Sequence, residues 1–167
     1  MENTLQELEK AIADATKDMS VLQLKQHPEG KWCVAEVLEH LYLTHRGTTK
    51  GLERCLAQGK PQARRRNLQD RIRTAVVVGL GYMPTGRKAP ELSAPRGMAA
   101  EDIVNAIGPQ LKAMEDALSN CEAKFGSRAR ILDHPVLGPL TARQWRKFHW
   151  VHGKHHVKQI WRLRGRV

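Results

Sequence analysis

Apolar positions recur along this chain at three- and four-residue steps in four long stretches, and the segments between them are rich in Gly and Pro. Leu5, Leu8, Ile12, Ala15 and Met19 form one stripe, which predicts a helix from about Thr4 to Met19. Thr4 and Glu7 have the spacing of a capping box at its start. His27-Pro28-Glu29-Gly30 then punctuates the chain as a turn. Val34, Val37, Leu38, Leu41, Leu52 and Leu56 share a face of a second helix, about Cys33 to Ala57, closed by Gly59 and Pro61. Ile103, Ile107, Leu111, Met114 and Leu118 make the stripe of a third, about Ala99 to Phe125, with Gly108-Pro109 inside it predicting a kink or break. Pro135, Gly138 and Pro139 shape a loop, and a last helix runs from Thr141, where Thr141 and Gln144 again have capping-box spacing, to about Leu163.

The middle is less regular. Val76-Val77-Val78 favours a strand by composition, but a lone strand is not stable, so Leu68 to Leu80 is read as a short helix. Gly81 to Arg96 contains Pro84, Gly86, Pro90 and Pro95 and reads as irregular. Four amphipathic helices in 167 residues predict one all-α domain, residues 1–167, built as a bundle.

Composition agrees with a packed domain: 41% of residues are hydrophobic and 27% charged, which excludes a disordered chain. The longest apolar stretch, Ala75 to Leu80, is far too short to cross a bilayer, and the polar start Met1-Glu2-Asn3 does not resemble a secretory signal. Cys33, Cys55 and Cys121 are odd in number and widely spaced, so neither a disulfide framework nor a zinc ribbon is expected, and reduced thiols in a cytoplasmic protein are. The formal net charge of +11 favours anionic partners.

The candidate chemistry lies in the last helix. At about 100° per residue, Trp145, Phe148, His149, His152, His156, Gln159 and Leu163 fall on one inward face. His152 and His156 stand one turn apart, the spacing at which two imidazoles can reach one divalent metal; a neutral ring nitrogen suits zinc, nickel, copper or iron. A third ligand has to come from elsewhere, and the second helix offers His40 and His45. The wheel puts His45 nearer the centre of the apolar stripe and His40 at its edge. A lone histidine on an apolar face is usually a core residue, but several on one face each need a polar partner, which a metal supplies at once. His155 points off this face. On the far side, Trp150, Val157 and Trp161 form a second stripe, fit either to pack on the irregular middle or to meet another subunit.

Two blocks resemble the DinB-like superfamily. Trp32-Cys-Val-Ala-Glu-Val-Leu-Glu-His40-Leu is similar to the start of that family's second helix, where a Trp precedes a helix with a His-Leu pair. His134-Pro-Val-Leu-Gly-Pro-Leu-Thr141, with Trp145 and His152-Gly-Lys-His-His156-Val-Lys-Gln159, is similar to its loop and last helix. Gly86-Arg-Lys-Ala-Pro90 with Pro95 adds a weaker match. The resemblance implies a DinB/YfiT-like four-helix bundle, often a homodimer, holding a divalent metal, zinc or nickel foremost, on His40, His152 and His156. It thereby selects His40 over His45. Cys33 departs from the Ser or Thr usual there, and as a poorer N-cap it leaves that helix start less well fixed.

Some proteins of this type are thiol-dependent transferases or isomerases, so the resemblance implies metal-dependent thiol transfer, or hydrolysis, with a low-molecular-weight thiol as an anionic co-substrate suited to a basic surface. A basic bundle that binds nucleic acid through Arg64-Arg65-Arg66, Arg143, Arg146, Lys147, Lys154, Lys158, Arg162, Arg164 and Arg166 is the alternative. It is not favoured, because no helix-turn-helix or aromatic RNA motif accompanies the charge. A stress-related structural bundle without catalysis is the third reading. Gly79-Leu-Gly81 lacks the third glycine and the strand setting of a nucleotide loop.

Overall fold

The computed structural model describes residues 4–83 and 89–165. Gly86, Arg87 and Lys88 of the weaker DinB-like match, with Pro84, lie outside the described residues, as do Met1–Asn3 and Arg166. The chain is mostly helical: α1 (Thr4–Thr16), α2 (Val21–Lys25), α3 (Val34–Gln58), α4 (Leu68–Thr74, continued by a π-helical turn over Ala75–Gly79), a 3₁₀ turn at Glu91–Ser93, α5 (Ala100–Phe125) and α6 (Ala142–Arg164). Among the described residues no helix is long and apolar enough to cross a membrane.

The long helices bury the stripes that define them. Leu5, Leu8, Ile12 and Ala15 of α1, Val34, Val37, Leu38, Leu41 and Leu52 of α3, and Ile103, Ile107, Leu111, Met114 and Leu118 of α5 join Trp145, Phe148, Ile160 and Leu163 of α6 in one core. α3 packs along α5, α1 along α6, and α3 and α5 also meet α6. α1 stops at Thr16, three residues short of expectation, because Asp18 turns the chain at φ +61°. Ser20 and Gln23 then cap the short α2, which the hydrophobic pattern is too brief to reveal. α5 runs unbroken through Pro109. At the head of α3 the Glu36 carboxylate accepts the Cys33 N–H at 2.9 Å, which helps to hold this start.

The expectation of an all-α chain needs one correction. Arg130–His134 (β1) and Gly138–Thr141 (β2) pair antiparallel, with Leu132 opposite Leu140 and His134 opposite Gly138. The prolines and glycine that read as a loop are compatible with this ribbon. Both of its strands are edges, so the N–H that Pro139 lacks can fall on the unpaired side. Buried Ile131, Leu137 and Leu140 tie it to the core, and the Trp145 indole N–H donates to the Leu132 carbonyl at 3.3 Å. α4 is pinned to the same ribbon by Thr74 Oγ1, which donates to the Leu137 carbonyl at 3.2 Å. Arg64, first of the three-arginine run, is engaged here too. It grips the buried Asp70 carboxylate at 2.7 and 2.8 Å, and holds that carboxyl down at about 2.

Candidate metal centre

α3 and α6 face each other through histidine. His40 stands in the N-terminal third of α3, and His152 and His156 on successive turns of α6, and the structure brings these three together. His40 Nε2 lies 3.2 Å from His152 Nε2, and His152 Nε2 lies 3.1 Å from His156 Nε2. All three ligand atoms fall within 4.8 Å of one another. His40 and His156 are buried and His152 is partly open.

The outer ring nitrogens fix what the inner ones are. His40 Nδ1 meets the Ser93 carbonyl at 2.8 Å, and His156 Nδ1 meets Gln159 Oε1 at 2.9 Å. Both partners are acceptors, so both Nδ1 atoms carry the hydrogen and both Nε2 atoms present a bare lone pair. His152 Nε2 sits between them and can donate at most one hydrogen; its own Nδ1 is buried without a partner. At least one of the two short Nε2–Nε2 contacts therefore sets lone pair against lone pair unless a cation stands among them.

Protonation is a poor substitute for that cation. Burial pulls the His156 imidazole down to about 4, with the neighbouring His40 adding to the effect. Burial likewise pulls His152 well below the ordinary histidine value and lowers His40, the Ser93 hydrogen bond opposing it. The rings are neutral at pH 7, the state in which imidazole ligates. The spacing also fits a metal. Two nitrogens on one tetrahedral ion at about 2.0–2.1 Å stand roughly 3.3–3.4 Å apart, and cis positions of an octahedron at that bond length roughly 2.9 Å. The observed separations of 3.1 and 3.2 Å lie between these. By donor set, tautomer and spacing, these residues could hold a divalent ion.

His45, the residue the wheel favours, is elsewhere. It is wholly buried, its ring packs edge-on against His149 with centroids 5.2 Å apart, and neither of its nitrogens has a hydrogen-bond partner. His149 hydrogen-bonds Thr48 Oγ1 through Nε2 at 3.1 Å and stacks on Trp145. His155 is half-buried beside His156, ring centroids 5.2 Å apart. On the far side of α6, Val157 is buried, half-buried Trp150 lines a cleft with Gly81, Tyr82 and Met83 at the start of the middle segment, and Trp161 stays 48% exposed.

Of the groups that back the ligands, sequence reasoning placed only Gln159 on the histidine face. The Ser93 carbonyl belongs to the backbone of an irregular segment and leaves no side-chain signal, while Trp32, with its ring centroid 5.4 Å from that of His40, was legible only as part of a motif. A second trio, His27, Cys33 and Glu36, also has ligand atoms within 4.8 Å, but Glu36 is already engaged at the start of α3. All three cysteines are free and buried.

Comparison with known proteins adds no chemistry to this geometry. The chain is 26% identical over 166 residues to the uncharacterized protein YuaE of Bacillus subtilis (strain 168), an alignment spanning 90% of this chain and 89% of that protein. No solved structure matches it. A family model described as protein of unknown function (DUF1569) matches residues 1–162, and with nearly its whole length covered the chain belongs to the DUF1569 family.

Proposed function

We propose that this protein is a DinB-like four-helix-bundle metalloprotein that holds a divalent ion, zinc or nickel, on His40, His152 and His156, and that it is an enzyme of metal-dependent thiol transfer or hydrolysis. One observation carries the reading: the ligand nitrogens of three imidazoles converge within 4.8 Å of one another, two of them turned lone pair inward by acceptors behind them. A metal-bound histidine characteristically donates its other N–H to a carbonyl or carboxylate, which fixes ring and tautomer.

Three protein ligands leave coordination positions for water or substrate, as catalytic sites do and closed structural sites do not. An ion there supplies Lewis acidity and lowers the pKa of a bound water or thiol. The chain's own residues hold the rest. Phe148 and Trp32 flank the histidines with apolar rings. Lys158 and Arg162 bring positive charge to His155, next to His156, which favours an anionic substrate. The protein's thiols are unsuited to the nucleophile's part: burial raises Cys33 and Cys55 and pushes Cys121 up to about 11. A reacting thiol would be a low-molecular-weight one from solution. A homodimer in the cytoplasm fits the same reading, and exposed Leu68, Ile72 and Trp161 are apolar surface for a second copy.

Metal analysis of the purified protein tests the centre. One equivalent of a first-row divalent ion is expected in the wild type and a loss of most of it in His152→Ala. Wild-type protein that takes up none from a zinc or nickel buffer overturns the reading.

A further inference from the structure

Glu39 precedes the first of the three histidines in sequence, and nothing in its residue type predicts what the fold does with it. Its side chain is 2% exposed and reaches across to the segment leading into α5. There it takes three backbone N–H groups: Arg96 donates to Oε1 at 2.8 Å, and Gly97 and Met98 donate to Oε2 at 3.1 Å each. A buried carboxylate needs such donors, and charge-assisted bonds of this kind are the stronger class. The same segment supplies the Ser93 carbonyl that meets His40 Nδ1. Two consecutive residues of α3 thus hold one segment at two points, Glu39 at residues 96–98 and His40 at residue 93. Gly97, within the stretch that Glu39 holds, adopts φ +90°, a conformation in which a side chain is strained.

We infer that Glu39 is a positioning residue for the metal centre: it clamps the 93–98 segment so that the Ser93 carbonyl stays on His40 Nδ1 and keeps the His40 Nε2 lone pair directed at His152 and His156. The inference rests on the proposed metal reading and deepens it. Partners behind metal-bound histidines typically matter tenfold to a hundredfold in affinity. Glu39 acts one bond network further out, by holding such a partner in place.

The experiment compares wild type with Glu39→Gln, Gly97→Ala and Met114→Ala. Glu39→Gln keeps the volume but removes the charge and turns an amide N–H₂ toward N–H donors. Gly97→Ala disturbs the same clamp without touching the carboxylate. Met114, wholly buried in α5, is the control for stability lost elsewhere. Zinc affinity is measured by chelator competition, and the cobalt(II)-substituted proteins are compared by their visible d–d spectra. The expected result is a zinc affinity about tenfold lower in Glu39→Gln and Gly97→Ala, with a common change in the cobalt spectrum. Met114→Ala should keep the wild-type spectrum and affinity at a temperature where it is folded. If Glu39→Gln does not fold, Gly97→Ala carries the test alone. Wild-type affinity and spectrum in the clamp variants, or an equal change in Met114→Ala, overturn the positioning role and leave the metal reading standing. A wild-type protein that binds neither zinc nor cobalt overturns both.

Discussion

Phe148 lies flat against His152: the two rings are 8° from parallel, with centroids 5.5 Å apart. One turn's spacing on α6 produces the contact, and the pair repeats as Trp145 on His149, 22° from parallel at 5.6 Å. His152 needs such a wall, because its outer nitrogen has no hydrogen-bond partner to orient it, whereas His40 and His156 are held by Ser93 and Gln159. Packing does for His152 what hydrogen bonds do for the other two. Phe148→Ala is therefore expected to cost about 3–5 kcal/mol of stability, as large core truncations do, and to weaken zinc binding in the fraction that stays folded. Phe148→Leu should recover most of the stability without the flat wall. Urea unfolding paired with zinc competition checks this. Undiminished zinc affinity in the folded Ala variant would contradict the assigned role.

The back of α6 makes a different demand. Gly153 sits between His152 and His156 in sequence but faces α1, where a Cβ would run into the methyl groups of Leu8. α1 and α6 can approach this closely because position 153 has no side chain. Gly153→Ala removes a helix-weakening glycine, worth roughly 0.5–1 kcal/mol in a helix interior, but it forces Leu8 or the helix axis aside at about 1–3 kcal/mol. Overpacking wins, and a net loss of about 1–2 kcal/mol is expected. Gly153→Ala combined with Leu8→Ala should be less than additive, since the smaller Leu8 makes room. Additive losses in a denaturation series would show that the two positions do not compete for space.

Much of the fold was legible because four stripes at helical spacing are long and unambiguous. Most of the residues that build them, from Leu5 in α1 to Leu163 in α6, are those the core buries, with Met19 and Leu56 packed at its edge. The ribbon was hidden because Gly138 and Pro139 carry loop signals in isolation, and only the packing of Ile131 and Leu140 makes strands of their surroundings. For the site, the wheel placed His152 and His156 on one inward face but ranked His45 above His40. Its ranking measures distance from the apolar stripe, and by that measure it was accurate, since His45 is the more deeply buried of the two. Meeting partners across α6 requires the edge of the stripe, where His40 stands. The Ser93 carbonyl and the Glu39 clamp depend on where an irregular segment folds back, which no local periodicity encodes.

His45 itself makes a prediction. A neutral imidazole carries one donor and one acceptor, and here both are buried and unmatched. Leaving such groups unpaired costs about 1–3 kcal/mol, whereas an apolar group of similar shape costs nothing of the kind. His45→Leu is expected to unfold at a higher temperature or urea concentration than wild type at pH 7, by about 1 kcal/mol or more, with zinc binding retained because His45 lies outside the trio. Thermal and urea denaturation read the first point and chelator competition the second. A destabilisation would show that His45 is partnered in solution, and a loss of metal would place it in the centre.

The same buried histidines should set the acid limit of the fold. Burial holds His45 at about 3, with His40 and His156 nearby adding to the effect, and holds His134 at about 4. His134 Nδ1 also accepts the N–H groups of Val136 and Leu137 at 3.1 Å each, so a proton there opens the turn of the ribbon. Both values lie below the ordinary 6.5. As pH falls past 6.5 the unfolded chain takes up protons that the folded chain refuses. Stability is thus intact above about pH 6.5, declines as pH drops toward 4, and levels off only once the folded-state values are passed, near 3 for His45. Two such groups give a slope of about 2.7 kcal/mol per pH unit in the middle of that window, and the trio, shifted the same way, steepens it. Urea midpoints of chelator-treated protein from pH 7.5 to 4 check this without metal release mixed in. His45→Leu should flatten the slope by about one proton's worth, roughly 1.4 kcal/mol per pH unit. A wild-type stability that stays level from pH 6.5 to 4 would mean these imidazoles are hydrated in solution, and the buried, neutral histidine core described above would have to be given up.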